Sequence, residues 1–193
     1  ENITPEFLAK KLDFINGAKI VVVDCNLSQE SIEWLCENVT SPIYVDPVSV
    51  AKVDRVKNVL DKIHTLKPNE LEAELLTGIK ITDEATAREA ATALINKGVK
   101  NVYISLGSQG ILCAKEGEAV LVKPLAKKIV STNGAGDCSM ATLVWARFNH
   151  GEELPLEEVG LYTQAAASIN VESPLAVSPE LNVEEVLKRV EEK

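Results

Sequence analysis

Short apolar runs alternate with amphipathic segments along most of the chain. The apolar runs are rich in β-branched residues, which is typical of buried strands in a parallel sheet. The first four are predicted as strands near residues 19–25, 42–48, 62–69 and 100–107. The segments between them place apolar residues at helical spacing, as Ile32, Leu35 and Cys36 do after the helix-capping Ser28.

The last part of the chain begins with two strands, predicted over residues 110–124 around a turn at Glu116-Gly117. Three helices are predicted after them, near residues 135–149, 156–171 and 183–192. Strands that alternate with helices imply parallel βαβ units with helices on both faces of the sheet. We therefore predict a three-layer αβα fold with a mostly parallel sheet, forming a single domain over residues 1–193. Ligands bind beyond the carboxyl ends of such strands, so candidate residues are sought there.

Composition and charge narrow the class of protein. Hydrophobic residues make up 46% and charged residues 25%, which are globular values and exclude a disordered chain. The net charge of −9 argues against a general nucleic-acid or anionic-membrane partner. No apolar run approaches the roughly 18 residues of a membrane span. Four dispersed cysteines without a CxxC pair favour a reducing cytoplasm over a disulfide framework or a zinc site.

A glycine-rich turn stands where the first of the late helices is predicted to begin. The residues Gly134-Ala135-Gly136-Asp137 follow an apolar segment at Ile129 that is predicted to be the end of a strand. Glycines bring backbone N–H groups close to a ligand, and the helix dipole favours an anion such as phosphate there. The Asp137 carboxylate could accept the proton of a hydroxyl that attacks phosphorus. A plain helix start explains this short motif equally well.

Two further segments after strands carry candidate residues. Asn69 and Glu72 could hold hydrated Mg²⁺ and a phosphate oxygen, although the same pair predicts a helix capping box, which we favour in isolation. Gly107 and Gly110 follow the strand that ends at Ser105 and would let a nucleotide lie against the backbone, but a hairpin turn is the simpler interpretation. No P-loop motif is present, and the first strand lacks the glycine fingerprint of a dinucleotide-binding domain.

The three segments together resemble the ribokinase-like family of carbohydrate and nucleoside kinases. The matching stretches are KPNELE, ISLGSQG and STNGAGD, and the resemblance extends over essentially all 193 residues. Within the family, the stretches YVDPVSVAKVDR and AAASINVESPLAVSPEL look most like pseudouridine kinases. The resemblance implies ATP-dependent phosphorylation of a hydroxyl on a sugar or nucleoside, and the narrower likeness implies the 5′-hydroxyl of pseudouridine.

The resemblance also implies a role for each matching residue. Asp137 would be the general base, and the N–H groups across Asn133 to Asp137 would form the anion hole for the transferring γ-phosphoryl group. Mg²⁺ and phosphate would be positioned through water by Asn69 and Glu72, with Asp46 near the metal. The residues expected to contact the nucleotide are Asn69, Ser105, Gly107, Gly110, Asn133 and Asn170, the last near the adenine.

Two departures from the family pattern change these expectations. Ser131 stands where members commonly have an acidic residue that helps to bind an activating monovalent cation, and Asn133 where they have a second threonine, which argues against K⁺ activation. Members also carry a preceding segment with the first strands, a β lid and most of the contacts to the sugar, which is not in this chain. We therefore expect the carboxyl-terminal part of a cytoplasmic kinase, which forms a homo-oligomer or pairs with that segment. A non-catalytic nucleotide-binding or assembly module is the alternative.

Overall fold

The computed structural model describes residues 2–192. The strands are β1 Val21–Asp24, β2 Ile43–Asp46, β3 Thr65–Leu66, β4 Asn101–Ser105, β5 Ile111–Lys115 and β6 Glu118–Val122. The helices are α1 Pro5–Ala9, α2 Leu12–Asn16, α3 Gln29–Asn38, α4 Glu70–Thr77, α5 Glu84–Asn96, α6 Ala135–His150, α7 Leu156–Val171 and α8 Val183–Glu191. Two 3₁₀ helices cover Val53–Lys62 and Gly107–Gln109.

The six strands form one mixed sheet in the order β1-β2-β3-β4-β5-β6. The strands β1 to β4 pair in parallel, with Asp24 opposite Asp46 and Leu66 opposite Val102. The strands β5 and β6 are joined by a short turn in which Gly117 has a φ of 72°. The prediction of a mostly parallel sheet within an α/β fold is confirmed, and the carboxyl ends of β1 to β4 lie at one edge of the sheet.

Two compact units divide the chain, and the first comprises Glu1–Ser105 and Ala114–Ala119. Its core is formed by residues of the parallel strands, among which Val45, Leu66 and Val102 are fully buried. Residues of parallel strands are apolar on both faces because helices cover such sheets on both sides. The interpretation of the whole chain as a single domain stays a prediction.

Two helical segments of the first unit follow from local spacing and capping. The segment between β2 and β3 is the 3₁₀ helix, in which Val53, Val56 and Val59 are buried. Their spacing of three matches the three residues per turn of a 3₁₀ helix, so it places all of them on one face. The N-cap of α5 is Asp83, whose side chain accepts the N–H of Thr86.

The second unit comprises Leu106–Cys113 and Val120–Lys193 and is mainly helical. The strand end expected at Ile129 is absent from the structure of the described residues, which have no strand between β6 and α6. The N–H groups of Val130 and Ser131 instead both donate to the carbonyl oxygen of Val171, at 2.7 and 3.1 Å. The segment is therefore tied to the end of α7 and not to a neighbouring strand. Among the described helices, none is long and apolar enough to cross a membrane.

Candidate active site

A buried ion pair lies at the carboxyl edge of the parallel strands. Asp46 ends β2 and Lys67 follows β3, and Lys67 Nζ lies 3.0 Å from Asp46 Oδ2. Lys67 is only 4% exposed. The other oxygen of Asp46 accepts the N–H of Val48 at 2.9 Å. Sequence reasoning did not single out Lys67, although its position directly after a strand in KPNELE was a usable signal.

The turn after Asp46 has an unusual backbone conformation. Val48 has a φ of 68°, and the N–H of Ser49 donates to the carbonyl oxygen of Pro47 at 2.8 Å. A β-branched residue at positive φ costs on the order of 1–3 kcal/mol, and such strain is concentrated at functional sites. The turn brings the N–H of Val48 onto the Asp46 carboxylate, so the chain around Asp46 is fixed by local bonds as well as by Lys67.

The pair Asn69 and Glu72 forms the capping box that the sequence predicts. Asn69 Oδ1 accepts the N–H of Glu72 at 3.0 Å, and Glu72 Oε2 accepts the N–H of Asn69 at 2.8 Å. Glu72 is 2% exposed. Burial raises the pKa of its carboxyl group and the charge of Asp46 adds to the rise, while the hydrogen bond from Asn69 and the charge of Lys67 oppose it. A carboxylate held in this environment favours a nearby cation.

Ser105 is a neighbour of Asn69 at the same edge of the sheet. The two residues form an isolated parallel bridge, and the N–H of Ser105 donates to the carbonyl oxygen of Pro68 at 3.0 Å. The first unit therefore brings together four of the residues at the strand ends, namely Asp46, Asn69, Glu72 and Ser105, and adds Lys67 to them.

The two glycines after β4 have different roles within the second unit. Gly107 is exposed, has a φ of 54°, and has open space where a side chain would start. Gly110 is buried, and a Cβ on it would lie 2.0 Å from the carbonyl oxygen of Val122. Gly110 is thus required by packing against β6, whereas Gly107 offers exposed backbone to a ligand.

The glycine turn of residues 133–137 begins α6. Gly134 is the N-cap with a φ of 75°, and no side chain caps the helix there. The first N–H groups of a helix have no acceptor within the helix. In this turn the N–H groups of Asn133 and Ala135 donate to Ser131 Oγ at 3.2 Å and to the carbonyl oxygen of Thr132 at 3.3 Å. Those of Gly136 and Asp137 are available to an anion. Asp137 lies in this first turn and is exposed. The turn therefore offers backbone donors beside a carboxylate, which is what the transfer of a phosphoryl group to a hydroxyl requires.

Asn170 lies in the last turn of α7 and is fully buried. Its Nδ2 donates to the carbonyl oxygen of Asn133 at 2.9 Å, and its Oδ1 accepts the N–H of Ser178 at 2.9 Å. Both ends of the amide thus bind backbone of the same unit. The contact with adenine expected of Asn170 stays a prediction.

The oxygen donors of the first unit fit Mg²⁺ held through water. Amide and carboxylate oxygens at Asn69 and Glu72 are of the type that this ion binds, and Mg²⁺ keeps several of its waters in proteins. Residues 2–192 contain no group of three or more His, Cys, Asp or Glu side chains arranged to hold a metal. Both oxygens of Asp46 also have protein partners. The donor set therefore does not fit a cage of direct carboxylate ligands.

Comparison with known proteins finds relatives in both sequence and structure. Pseudouridine kinase of Escherichia coli K12 is 34% identical over 193 residues, which cover 98% of this chain and 60% of that protein. Ribokinase of Arabidopsis thaliana complexed with ribose and ATP matches with a TM-score of 0.81 at 28% identity, over 94% of this chain and 58% of the other. Ribokinase of Thermotoga maritima matches with a TM-score of 0.85 at 22% identity, over 98% and 62% of the two chains.

These matches confirm the three-layer α/β architecture. The chain spans 60% of the length of the pseudouridine kinase that it matches. The preceding strands and the lid that the family resemblance implies stay a prediction. Residues 4–182 match the family model of the pfkB carbohydrate kinases. The chain belongs to the pfkB family of carbohydrate kinases.

Proposed function

We propose that the protein acts in ATP-dependent transfer of a phosphoryl group to a hydroxyl of a sugar or nucleoside. The observation that carries the proposal is the start of α6, where Gly134 leaves the helix without a side-chain cap and Asp137 is exposed in the first turn. A helix that needed only to begin there would gain from a capping side chain, as α4 and α8 do. An open helix start is instead suited to an anionic ligand.

The chemistry requires few protein groups. Asp137 takes the proton of the acceptor hydroxyl as its oxygen attacks the γ-phosphorus, and the bond from that phosphorus to the leaving ADP oxygen breaks. The N–H groups at Gly134 and Gly136 lie where the helix begins and stabilise the charge on the transferring group, whereas that of Ala135 also donates to the carbonyl oxygen of Thr132 at 3.3 Å. Preorganised donors of this kind contribute about 3–4 kcal/mol each to the transition state.

The polar residues that follow β3 and β4 are the ones we propose for binding the metal and the nucleotide. Asn69 and Glu72 would hold Mg²⁺ through water, and the ion would supply positive charge to the phosphates of ATP. Lys67, paired with Asp46, is a further cation in the same cluster. Ser105 and the exposed backbone of Gly107 would contact the nucleotide. K⁺ is not expected to activate the enzyme, because Ser131 provides no carboxylate.

Pseudouridine is the acceptor that we propose, at its 5′-hydroxyl. The support is the identity of 34% to a pseudouridine kinase over nearly the whole chain. A thermal-shift comparison of pseudouridine, uridine and ribose in the presence of ADP and Mg²⁺ would test this choice. It is run on the full-length polypeptide, by which we mean this chain together with the preceding segment expected from the family resemblance. The largest shift is expected with pseudouridine, and an equal or larger shift with ribose would contradict it.

The variant Asp137→Asn tests the reaction directly. In the full-length polypeptide it should retain the fold and ATP binding but lower kcat by about 10²-fold or more, the usual contribution of a positioned general base. Glu184→Gln is the matched control, because Glu184 is an exposed carboxylate in the first turn of α8. Near-normal turnover by Asp137→Asn would remove Asp137 from the mechanism.

A nucleotide-binding or assembly module without catalysis is the second candidate, and an exposed apolar surface favours it. Apolar side chains are exposed on β1 and on α2, with Val22 50% and Phe14 84% exposed. We propose that this surface favours self-association or pairing with a preceding segment in the cytoplasm. Light scattering and calorimetry with ATP on the 193-residue chain would test this. A monodisperse monomer with full kinase turnover would contradict it.

A further inference from the structure

The carboxyl-terminal end of α7 is bonded to two loops through one side chain. Asn170 binds the carbonyl oxygen of Asn133, which lies in the turn before α6, and the N–H of Ser178, which lies in the loop after α7. The two partners are separated from Asn170 by 37 and 8 positions in the sequence. The carbonyl oxygen of the next residue, Val171, accepts the N–H of Ser131, which lies just before the turn.

Only a primary amide of this length can make both side-chain bonds. A carbonyl oxygen needs a donor and an N–H needs an acceptor, and the asparagine side chain carries one of each on a single plane. Aspartate would keep the acceptor and lose the donor, whereas alanine would lose both. Because Asn170 is fully buried, neither loss would be compensated by water.

The loop that contains Ser178 lies directly against the glycine turn. A Cβ built on Gly134 would lie 1.8 Å from the carbonyl oxygen of Ala176. No side chain fits between the two backbones, so any displacement of Ala176 changes the space available to Gly134. The hydrogen bond from Ser178 to Asn170 therefore restrains the loop that packs against the turn. The hydrogen bond from Asn170 to Asn133 restrains the turn itself.

We propose that Asn170 is a positioning residue, which holds the glycine turn of residues 133–137 in the shape that binds the phosphates of ATP. It does so from the interior, without contacting the nucleotide. This inference rests on the function proposed above, because it assumes that the turn is the phosphate site. It assigns to Asn170 a role different from the contact with adenine that the family resemblance implies.

Hydrogen exchange on two variants separates the two bonds. Asn170→Asp removes the donor to Asn133 and keeps the acceptor for Ser178, whereas Asn170→Ala removes both. The amide of Cys138, which donates to the carbonyl oxygen of Gly134 at 2.9 Å, should exchange about tenfold faster or more in both variants. The amide of Ser178 should exchange faster only in Asn170→Ala. Unchanged exchange at Cys138 in both variants would overturn the proposal.

Affinity for Mg²⁺-ATP tests whether the turn matters to the nucleotide. Measured by calorimetry below the melting temperature of each variant, both variants should bind at least about tenfold more weakly, because misplaced groups lose much of their effect. Asn149→Asp is the control, since the Asn149 side chain is exposed on the same unit and donates to the carbonyl oxygen of Trp145. Weaker binding by Asn170→Asp alone would indicate a charge effect and would overturn the proposal.

The unaltered chain provides a test that needs no variant. The amide of Ser178 should exchange at least about tenfold more slowly than that of its neighbour Val177, because its acceptor is a buried side chain. Equal rates would show that the bond to Asn170 does not hold the loop. A chain that binds no nucleotide would contradict the proposed function, while the exchange data would still decide whether Asn170 holds the turn.

Discussion

The charge cluster of the first unit and the glycine turn of the second are built in two different ways. The cluster consists of the side chains of Asp46, Lys67 and Glu72, which are largely buried and compensate one another. The turn presents backbone N–H groups at an exposed helix start, and its neighbours supply shape rather than charge. The first depends on pairing of charges, and the second depends on the close approach of two backbones.

The difference determines how each region should fail. Removing one member of a buried ion pair leaves the other charge without a partner. The main effect should therefore be a loss in the free energy of unfolding rather than in ligand affinity. Altering the turn changes where donors point, and a small displacement is enough to weaken the binding of an anion. The following variants test this contrast, from the largest expected effect to the smallest.

Asp46→Asn should have the largest effect on stability. It leaves the buried ammonium group of Lys67 without its carboxylate, which typically costs about 3–5 kcal/mol. Glu84→Gln is the matched control, because it breaks an ion pair with Arg88 in which both side chains are well exposed. Such pairs contribute about 0.3–0.5 kcal/mol. Urea unfolding of both variants measures the contrast, and equal losses would show that the Asp46–Lys67 pair is not effectively buried.

Gly134→Ala should lower stability by an intermediate amount. A positive φ costs alanine about 1–2 kcal/mol, and the contact with the carbonyl oxygen of Ala176 adds about 1–3 kcal/mol of overpacking. Gly117→Ala is the control, because Gly117 has a φ of 72° and nothing within 4 Å of the added atom. The excess loss in Gly134→Ala measures the close approach by itself. Without an excess, the loop after α7 would have to be free to move away from the turn.

Glu72→Gln should have the smallest effect on stability, about 1 kcal/mol or less at neutral pH, because glutamine can still accept the N–H of Asn69. Burial raises the pKa of Glu72, so the contribution of its carboxyl group to stability is fully present below the ordinary value of 4.5 and is lost as pH rises through the raised pKa. The variant should therefore gain stability relative to the unaltered protein as pH rises from about 4 to 7.

A carboxyl group with the opposite shift provides the control for this pH dependence. Hydrogen bonds from Thr86 lower the pKa of the exposed Asp83, so its contribution is present above the ordinary pKa and is lost as pH falls through the lowered one. Asp83→Asn should therefore lose stability relative to the unaltered protein as pH rises. Unfolding curves should therefore give differences of opposite sign for the two variants, with the change for Glu72→Gln above the ordinary pKa of 4.5 and the change for Asp83→Asn below the ordinary pKa of 3.8. The same sign for both would contradict the assignment.

Mg²⁺ dependence of Glu72→Gln separates a structural cap from a metal ligand. In the full-length polypeptide, the variant should need more Mg²⁺ for its half-maximal rate, because it lacks the charge that favours the ion. An unchanged Mg²⁺ requirement together with a small stability loss would leave Glu72 with the capping role alone.

Local sequence patterns determined most of the elements and part of the site. The spacing of apolar residues predicted α6 and α7 closely, and the Asn69 and Glu72 pair predicted its capping box, because these interactions join residues at most four positions apart. The position of GAGD at a helix start followed from the same local pattern. The strand predicted at Ile129 was wrong, because the backbone N–H groups of Val130 and Ser131 donate to the carbonyl oxygen of Val171 at the end of α7.

Tertiary structure alone decided which of these residues meet. The pairing of Lys67 with Asp46 depends on the alignment of β2 and β3, and spacing along the chain contains no signal of that alignment. The contact of Gly134 with Ala176 and the two bonds of Asn170 depend on how the loop after α7 folds back. The sequence by itself determined the elements and the chemical types at their ends, while packing over long sequence separations decided which groups are paired, buried or open to a ligand.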